Sequence, residues 1–445
     1  MLLGVMCVGM FLVQLDVTVV NVALPDIRVG LHTSLAGQQW VVDAYAVVLA
    51  SLLLAGGTSG DRYGHKRLVL GGLGLFGAAS LLCGSAPSIG VLIGARAVQG
   101  LGAALLLPGT LAVITRAFPA RGEQAQAVGV WAGVSALALP AGPLLGGALV
   151  SGLGWRAVFF INLPIIAVAV PATARLVGET LDEHARRLDL PGTGLAAVAL
   201  AGTVYAVISA GRDGAGLAVW VSAGLAGAAA LGFVLAEHRS AHPVLPLGLL
   251  RAPAFAGANL VAAAMNLVCI GTVFVATLYL QTVQHHSAFV AGVLLLPLFV
   301  PLAALAPLTG RITARYGPRL PMSGGLIVGA AGSAALIGLQ PASHYLRVLP
   351  ALGGLGQGMG LLTAAVVAAA VRAVPAERAG LASGVNNAAR QAAGALAVAI
   401  YGAVAGSPTH PGRFTAGLRT LGIGAALLWV GALALTLVTV RSRPD

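Results

Sequence analysis

Apolar positions in this chain do not alternate with polar ones. They run together in stretches of about twenty residues, separated by short clusters of charge, proline and glycine. A helix needs about 20 apolar residues to cross the hydrocarbon core of a bilayer, and within lipid the backbone must satisfy its own hydrogen bonds. The pattern therefore predicts fourteen membrane-spanning helices, at roughly 2 to 23, 38 to 57, 67 to 86, 89 to 115, 125 to 150, 155 to 175, 190 to 210, 216 to 236, 256 to 282, 289 to 310, 320 to 339, 346 to 371, 379 to 405 and 418 to 440. The expected fold is all-α and polytopic, with short loops and no soluble domain.

Composition agrees. The chain is 58% hydrophobic and 9% charged, against about 25% charged in an ordinary soluble domain. Its net charge of +12 would suggest nucleic acid in a soluble protein, but lysine and arginine also collect in the cytoplasmic loops of membrane proteins. If the first span runs outward, seventeen of the 25 basic residues fall on the cytoplasmic side, six on the other and two, Arg96 and Arg390, inside spans. The charge is thus a topology signal. It places both termini in the cytoplasm and excludes nucleic acid as a partner. Cys7, Cys83 and Cys269 form no CxxC or Cys/His cluster and read as small buried hydrophobes. His285 and His286 read as exposed loop residues rather than a metal site. The first apolar run continues past twenty residues without a small-residue cleavage site, so no signal peptide is evident. With no GxxxxGKS/T loop and no HExxH, neither an ATP-driven pump nor an enzyme is supported.

An internal repeat is visible. GTSGDRYGHKRL (Gly57 to Leu68) between spans two and three matches GRITARYGPRL (Gly310 to Leu320) between spans ten and eleven, with Ala314 in place of Asp61. QGLG (Gln99 to Gly102) in span four pairs with QGMG (Gln357 to Gly360) in span twelve. Spans one to six and nine to fourteen then form two halves sharing a scaffold but not all the chemistry, a common transporter plan. The expected division is 1–178 for the first half, 179–250 for a linker with inserted spans seven and eight, and 251–445 for the second half. ETLDEHARRLD (Glu179 to Asp189) reads as a cytoplasmic linker.

An aspartate near the middle of a membrane helix costs roughly 2.5 to 3.5 kcal/mol, so intramembrane charge usually has a function or a partner. Asp16 and Asp43 are the carboxylates set well within apolar runs. Counted from the expected span ends, Asp16, Asp43 and Arg96 lie about 8 to 11 Å in from the outer surface. They are expected to form one cluster of two carboxylates and a guanidinium, which cannot comfortably hold both carboxylates ionised. Asp16 is then the proton site, Arg96 the group that displaces the proton, and Asp43 a second carboxylate or the mouth of the substrate path. The bland alternatives are a static ion pair for Asp16 and Arg96, and outer water for Asp43. Arg390 lies in a half whose spans hold no acid, and is read as donating to backbone carbonyls, to a substrate or to a carboxylate of the other half, or as helix glue. Gln14, Asn21, Asn259, Asn266, Tyr279, Gln281, Asn386 and Arg390 are the candidate cavity residues, with Trp40 and Trp131 as aromatic walls.

Several stretches together resemble one family. GTSGDRYGHKRL is similar to the GxxxDRxGRR loop motif of the major facilitator superfamily, ARAVQGLGAA (Ala95 to Ala104) to its RxxQGxG motif, and PAGPLLGG (Pro140 to Gly147), with Gly129 upstream, to the GPxxGG signature of its antiporters. LDVTVVNVALP (Leu15 to Pro25), GWRAVFFINLP (Gly154 to Pro164), LYLQ (Leu278 to Gln281) and SGVNNAARQAAGAL (Ser383 to Leu396) complete a resemblance to its fourteen-span drug:proton antiporter branch. Departures are His65, Ala138 and Ala157, where that pattern carries arginine, glycine and tryptophan. The resemblance implies the major facilitator fold and alternating access. It makes Gly57, Asp61, Arg62, Gly64, Lys66 and Arg67 a conformational latch, and Gly129, Pro140, Gly142, Pro143, Gly146 and Gly147 a flexible or sealing seam. The plainer readings are a tight turn and small-residue helix packing. The expected function is proton-coupled export of hydrophobic, often cationic or antibiotic-like small molecules across a bacterial cytoplasmic membrane, by a monomer using protons and no cofactor. A facilitator or symporter for one metabolite, or a sensor that kept the fold and lost transport, are the alternatives.

Overall fold

The computed structural model describes residues 1–118, 120–179, 189–240, 243, 245, 247–375 and 378–440, apart from the side chains of Thr58, Asp61, Arg121, Gly122 and Ala125. Most of the expected linker, with Arg186 and Arg187, therefore lies outside the described residues, as do Arg441 and Arg443 and the side chain of the latch residue Asp61.

Among the described residues there are sixteen α-helices and no strand. They are α1 (Leu2–Gly30), α2 (Leu35–Tyr63), α3 (His65–Gly84), α4 (Ile89–Ala117), α5 (Arg121–Leu153), α6 (Ala157–Phe160), α7 (Asn162–Leu176), α8 (Leu190–Asp213), α9 (Leu217–Arg239), α10 (Pro253–Leu278), α11 (Ala288–Leu294), α12 (Leu296–Tyr316), α13 (Arg319–Ala335), α14 (Tyr345–Arg372), α15 (Ala379–Ala405) and α16 (Pro411–Thr439). Among the described residues fourteen segments are long and apolar enough to cross a membrane, with α6 and α7 together making one of them. Helix ends follow local chemistry. Ser34 and Ser88 cap α2 and α4 by accepting from the Gly37 and Val91 amides. The run expected at 289 to 310 breaks near Leu295, giving α11 and α12. After α10 the helix widens into a π-turn over Tyr279–Val283, holding most of LYLQ, and such bulges are frequent at functional sites.

The chain forms two compact units. The first comprises Met1–Gly202, Gly224–Val244 and Ser287–Gly292, and the second Thr203–Ala223, Leu245–His286 and Val293–Asp445. In the first, α4 packs between α2 and α3, and α1 packs along α5. In the second, α14 packs between α12 and α13, and α10 along α15. The most apolar windows of α8 and α9 are only 22% and 11% buried, so these two helices turn most of their surface outward.

The repeat is visible at atomic detail. Gly64 and Gly317, the RYG glycines, both take a left-handed backbone (φ 95° and 81°), and both N–H groups bond the carbonyl four residues back. That conformation is costly for any residue with a Cβ. In each copy the arginine stacks on the adjacent tyrosine, Arg62 on Tyr63 at 5.4 Å and Arg315 on Tyr316 at 5.3 Å. The second sequence match needs a correction. Gly100 lies against the Tyr45 carbonyl and Gly102 against that of Gly72, while Gly356 lies against Leu298 and Gly358 against Gly325. Tyr45 and Leu298, Gly72 and Gly325, and Gly64 and Gly317 are all 253 residues apart. The packing counterparts of Gly100 and Gly102 are therefore Gly356 and Gly358, and QGMG is displaced by two residues. Close helix approach fixes which glycines correspond, whereas the letter match followed the glutamine. Gln99 is buried, its packing counterpart is the apolar Leu355, and Gln357 is exposed.

Candidate functional site

The first unit holds a buried polar network inside an apolar bundle. Asp16 sits fourteen residues from either end of α1, at mid-helix rather than seven residues from the outer end, because α1 continues to Gly30. Its side chain has no solvent exposure and meets Arg96, 1% exposed, in a salt bridge. Arg96 and Gln99 are three residues apart on α4 and so share a face. The Arg96 Nη1 donates to Asp16 Oδ2 and also to Gln99 Oε1 at 2.7 Å, while its Nε donates to the Val41 carbonyl at 3.0 Å. The Gln99 Nε2 donates to Asp16 Oδ1 at 2.8 Å and to Ser80 Oγ at 3.0 Å. The helix break at Ile161 places Asn162 at the start of α7, where its Nδ2 donates to Ser80 Oγ at 3.2 Å and, more weakly, to Asp16 Oδ1 at 3.4 Å. The Tyr45 ring lies 4.3 Å from the guanidinium centre and Phe159 6.0 Å, a cation–π contact worth about 2 kcal/mol when desolvated.

Donors from α4 and α7 thus converge on one carboxylate of α1, and Ser80 of α3 accepts from two of them. Both carboxylate oxygens accept from donors, which is how a low-dielectric interior holds a charged pair. Gln99, Ser80, Asn162 and Tyr45 were not expected from the sequence. Gln99 could have been found from its spacing to Arg96, but Ser80 and Asn162 look like ordinary helix-packing residues.

Asp43 does not join this network, which corrects the expected three-member cluster. Val41 and Tyr45, four residues apart on α2, both face Arg96. Asp43 lies midway between them, about 200° around the helix from each, at 100° per residue. It is also fully buried, rather than reaching outer water, and neither carboxylate oxygen has a hydrogen-bond partner among the described residues.

In the loop motif, Arg67 pairs with Glu179 at 3.4 Å, and a Cβ on Gly64 would strike the Glu179 carboxylate. Glu179, from the expected linker, is the acid the sequence did not point to here. Gly57 lies beside Pro108, and Arg62, Lys66 and Arg67 lie at the surface or partly exposed. The replacement His65 is buried, packed on Gly60. In α5, which contains Pro140 and Pro143, Gly142 and Gly146 lie against Thr18 and Val19 of α1, and Gly147 faces Ala288 and Phe289. Gly292 in turn meets the Pro143 carbonyl. A Cβ on Gly129 would meet nothing within 4 Å among the described residues, and Ala138 is buried without exposure.

The remaining candidate cavity residues are scattered. Asn21 donates to Val17 of its own helix, and Gln14 is half-buried. Asn386 donates to Asn259 Oδ1 at 3.2 Å, and Asn266 donates to the Arg390 carbonyl at 2.6 Å, tying α15 to α10. Tyr279 donates to the Gln340 carbonyl at 2.5 Å, and Gln281 is 9% exposed in the π-turn. Trp40 and Trp131 are half-buried. The cysteines are buried and unpaired, and no group of three or more metal-binding side chains occurs among the described residues.

Residues 6–398 match the Major Facilitator Superfamily. The chain is 38% identical over 402 residues to the multidrug resistance protein Stp of Mycobacterium tuberculosis, covering 89% of this chain and 74% of that protein. It is 37% identical over 441 residues to a methylenomycin A resistance protein of Streptomyces coelicolor, covering 98% and 91%. It is 36% identical over 412 residues to the puromycin resistance protein of Streptomyces alboniger, covering 92% and 82%. The fold is similar to that of a peptide transporter crystallised with sulfate, with a TM-score of 0.71 and 16% identity over 99% of this chain and 95% of that one. Fourteen apolar helices, a duplicated glycine-packed scaffold and the match over residues 6–398 lead to one conclusion: the chain is a multi-pass membrane protein of the major facilitator superfamily, a family of small-molecule transporters rather than enzymes.

Proposed function

We propose that this protein exports hydrophobic, antibiotic-like small molecules, cations among them, across a bacterial cytoplasmic membrane in exchange for protons. The observation carrying the proton half is Asp16, a buried carboxylate wrapped by Arg96, Gln99 and Asn162. Protonating it removes the charge that holds Arg96, Gln99 and Asn162 in place, so one proton is coupled to rearrangement of α1, α3, α4 and α7. A carboxylate that titrates between two arrangements biases a two-state equilibrium by its differential interaction with each. The substrate half is supported by the relatives named for resistance to several unrelated compounds.

In this reading export is by alternating access, with six-span halves at 1–178 and 251–445 and an inserted pair in 179–250. The monomer is the working unit, and both termini are cytoplasmic. The Gly57 to Arg67 segment, which joins α2 and α3 at Gly64 and has Glu179 on Arg67 and over Gly64, is the latch. Gly142, Gly146 and Gly147 form the seam. Asp43, a fully buried carboxylate without a donor among the described residues, supplies the second acidic group. The test is a panel of toxic compounds in a drug-sensitive host. Expression of the chain should raise tolerance to several of them, and Asp16→Asn should abolish that protection at equal membrane abundance. Protection that survives Asp16→Asn would remove the proton assignment, and no protection against any compound would remove the export assignment.

A further inference from the structure

Helices α10 to α16 hold no acidic residue; beyond Glu237 the sequence has two, Glu377 and Asp445, which lie outside the described residues. Arg390 lies eleven residues into α15, in the second unit. Its Nε is buried and finds no acceptor among the described residues. The main chain beneath it is already engaged, because its carbonyl accepts from Asn266. Asn386, one turn earlier on the same face, is fully buried and bonds Asn259 across the helix pair. These amides hold α15 against α10 and leave the Arg390 Nε without an acceptor among the described residues.

A guanidinium placed within a membrane helix usually pairs with a carboxylate or faces a polar cavity. Here helices α10 to α16 offer no carboxylate. A planar fork of N–H donors is shaped to take two oxygens of one anion side by side.

Resting on the reading of the chain as a small-molecule exporter, we propose that Arg390 binds the anionic group of a transported molecule, so that lipophilic carboxylates are among its substrates. Asn266 is the positioning residue, since it fixes the backbone from which the Arg390 side chain departs. Asp16 and Asp43 suit protons and cations, and Arg390 carries the opposite sign. One carrier can thereby accept apolar bodies bearing either charge.

The test uses the purified full-length chain and two probes with the same ring system, 2-naphthoate and 2-naphthyl-trimethylammonium. Equilibrium binding of each is measured in detergent, and uptake of each in energised everted vesicles. A charged hydrogen-bonding partner is worth about tenfold to hundredfold in affinity. Arg390→Gln should weaken naphthoate by that factor relative to the ammonium probe. Arg390→Lys, which keeps the charge but not the fork, should fall between. If Arg390→Gln does not fold, Arg390→Lys carries the comparison, with a several-fold selective loss expected. Equal weakening of both probes would assign Arg390 to structure and overturn the proposal, as would a wild-type chain that binds the ammonium probe but not naphthoate. If neither probe is transported, the export reading fails, and naphthoate binding to the purified chain still decides for or against Arg390.

Discussion

Replacing Asp16 by asparagine removes one partner of a desolvated pair and leaves the other in place. Arg96 would keep Gln99 Oε1 at 2.7 Å, the Val41 carbonyl at 3.0 Å and the Tyr45 ring, but it would carry an uncompensated charge at 1% exposure. Breaking a buried ion pair from one side costs about 3–5 kcal/mol, a large part of the 5–15 kcal/mol typical of a folded domain. Arg96→Gln alone should be comparably damaging, because Asp16 would retain only the amide donors of Gln99 and Asn162. The double variant removes both charges and leaves amides that can bond one another. It should therefore recover most of the lost stability, with a coupling of about 3 kcal/mol or more in the double-mutant cycle. Thermal unfolding of the four purified proteins in one detergent measures this. Transport should not recover with stability, because the double variant has no titrating group at this position. Additive losses would refute the reasoning, since they would mean that the two side chains do not depend on each other. A stable double variant that still exports would refute the proton role while leaving the packing argument intact.

Other expectations follow from the same geometry. Gly102→Val would drive a side chain into the α3 backbone, where even a Cβ would lie 2.9 Å from Phe76 N, and should cost about 1–3 kcal/mol in unfolding measurements. Gly129→Ala meets nothing within 4 Å and should be neutral or stabilising by up to about 1 kcal/mol on the same scale. Gly64→Ala combines a φ of 95° with a clash against Glu179, and should lower thermal stability by about 1–2 kcal/mol or more. Glu179→Gln loses a pair whose Arg67 side chain is 73% exposed, so its effect on stability should stay below about 1 kcal/mol. A change in export rate from Glu179→Gln without a change in melting temperature would mark it as part of the latch.

The spans were legible because a bilayer imposes one rule on every crossing segment, and the RYG loops because a left-handed turn admits few residues besides glycine. The pairing of Asp16 with Arg96 was legible because two opposite charges in an apolar chain have few other solutions. Its partners were less so. Ser80 and Asn162 carry no charge, and only the fold shows that Asn162 of α7 reaches Asp16 while Ser80 of α3 accepts from Gln99 and Asn162. Asp43 illustrates the limit of reading by depth alone. Its height suggested a shared cluster, but its angle around α2, set two residues from Val41 and Tyr45, directs it elsewhere, and helical periodicity in the sequence already contained that angle. The glycine correspondence failed for a related reason. Letters were matched where packing distance decides, and Gly356 and Gly358 are recognisable only by what they touch. In the sequence Glu179 belongs to a charged linker, and its partner, Arg67, lies 112 positions earlier (67 to 179).

The central claim, that substrate leaves as protons enter through Asp16, is tested most directly in everted vesicles carrying an interior-acid gradient and a pH-sensitive dye. Adding a compound to which the chain confers tolerance should dissipate the gradient in wild-type vesicles and leave it intact with Asp16→Asn. Substrate accumulation without proton release, or equal proton release by the two proteins, would contradict it.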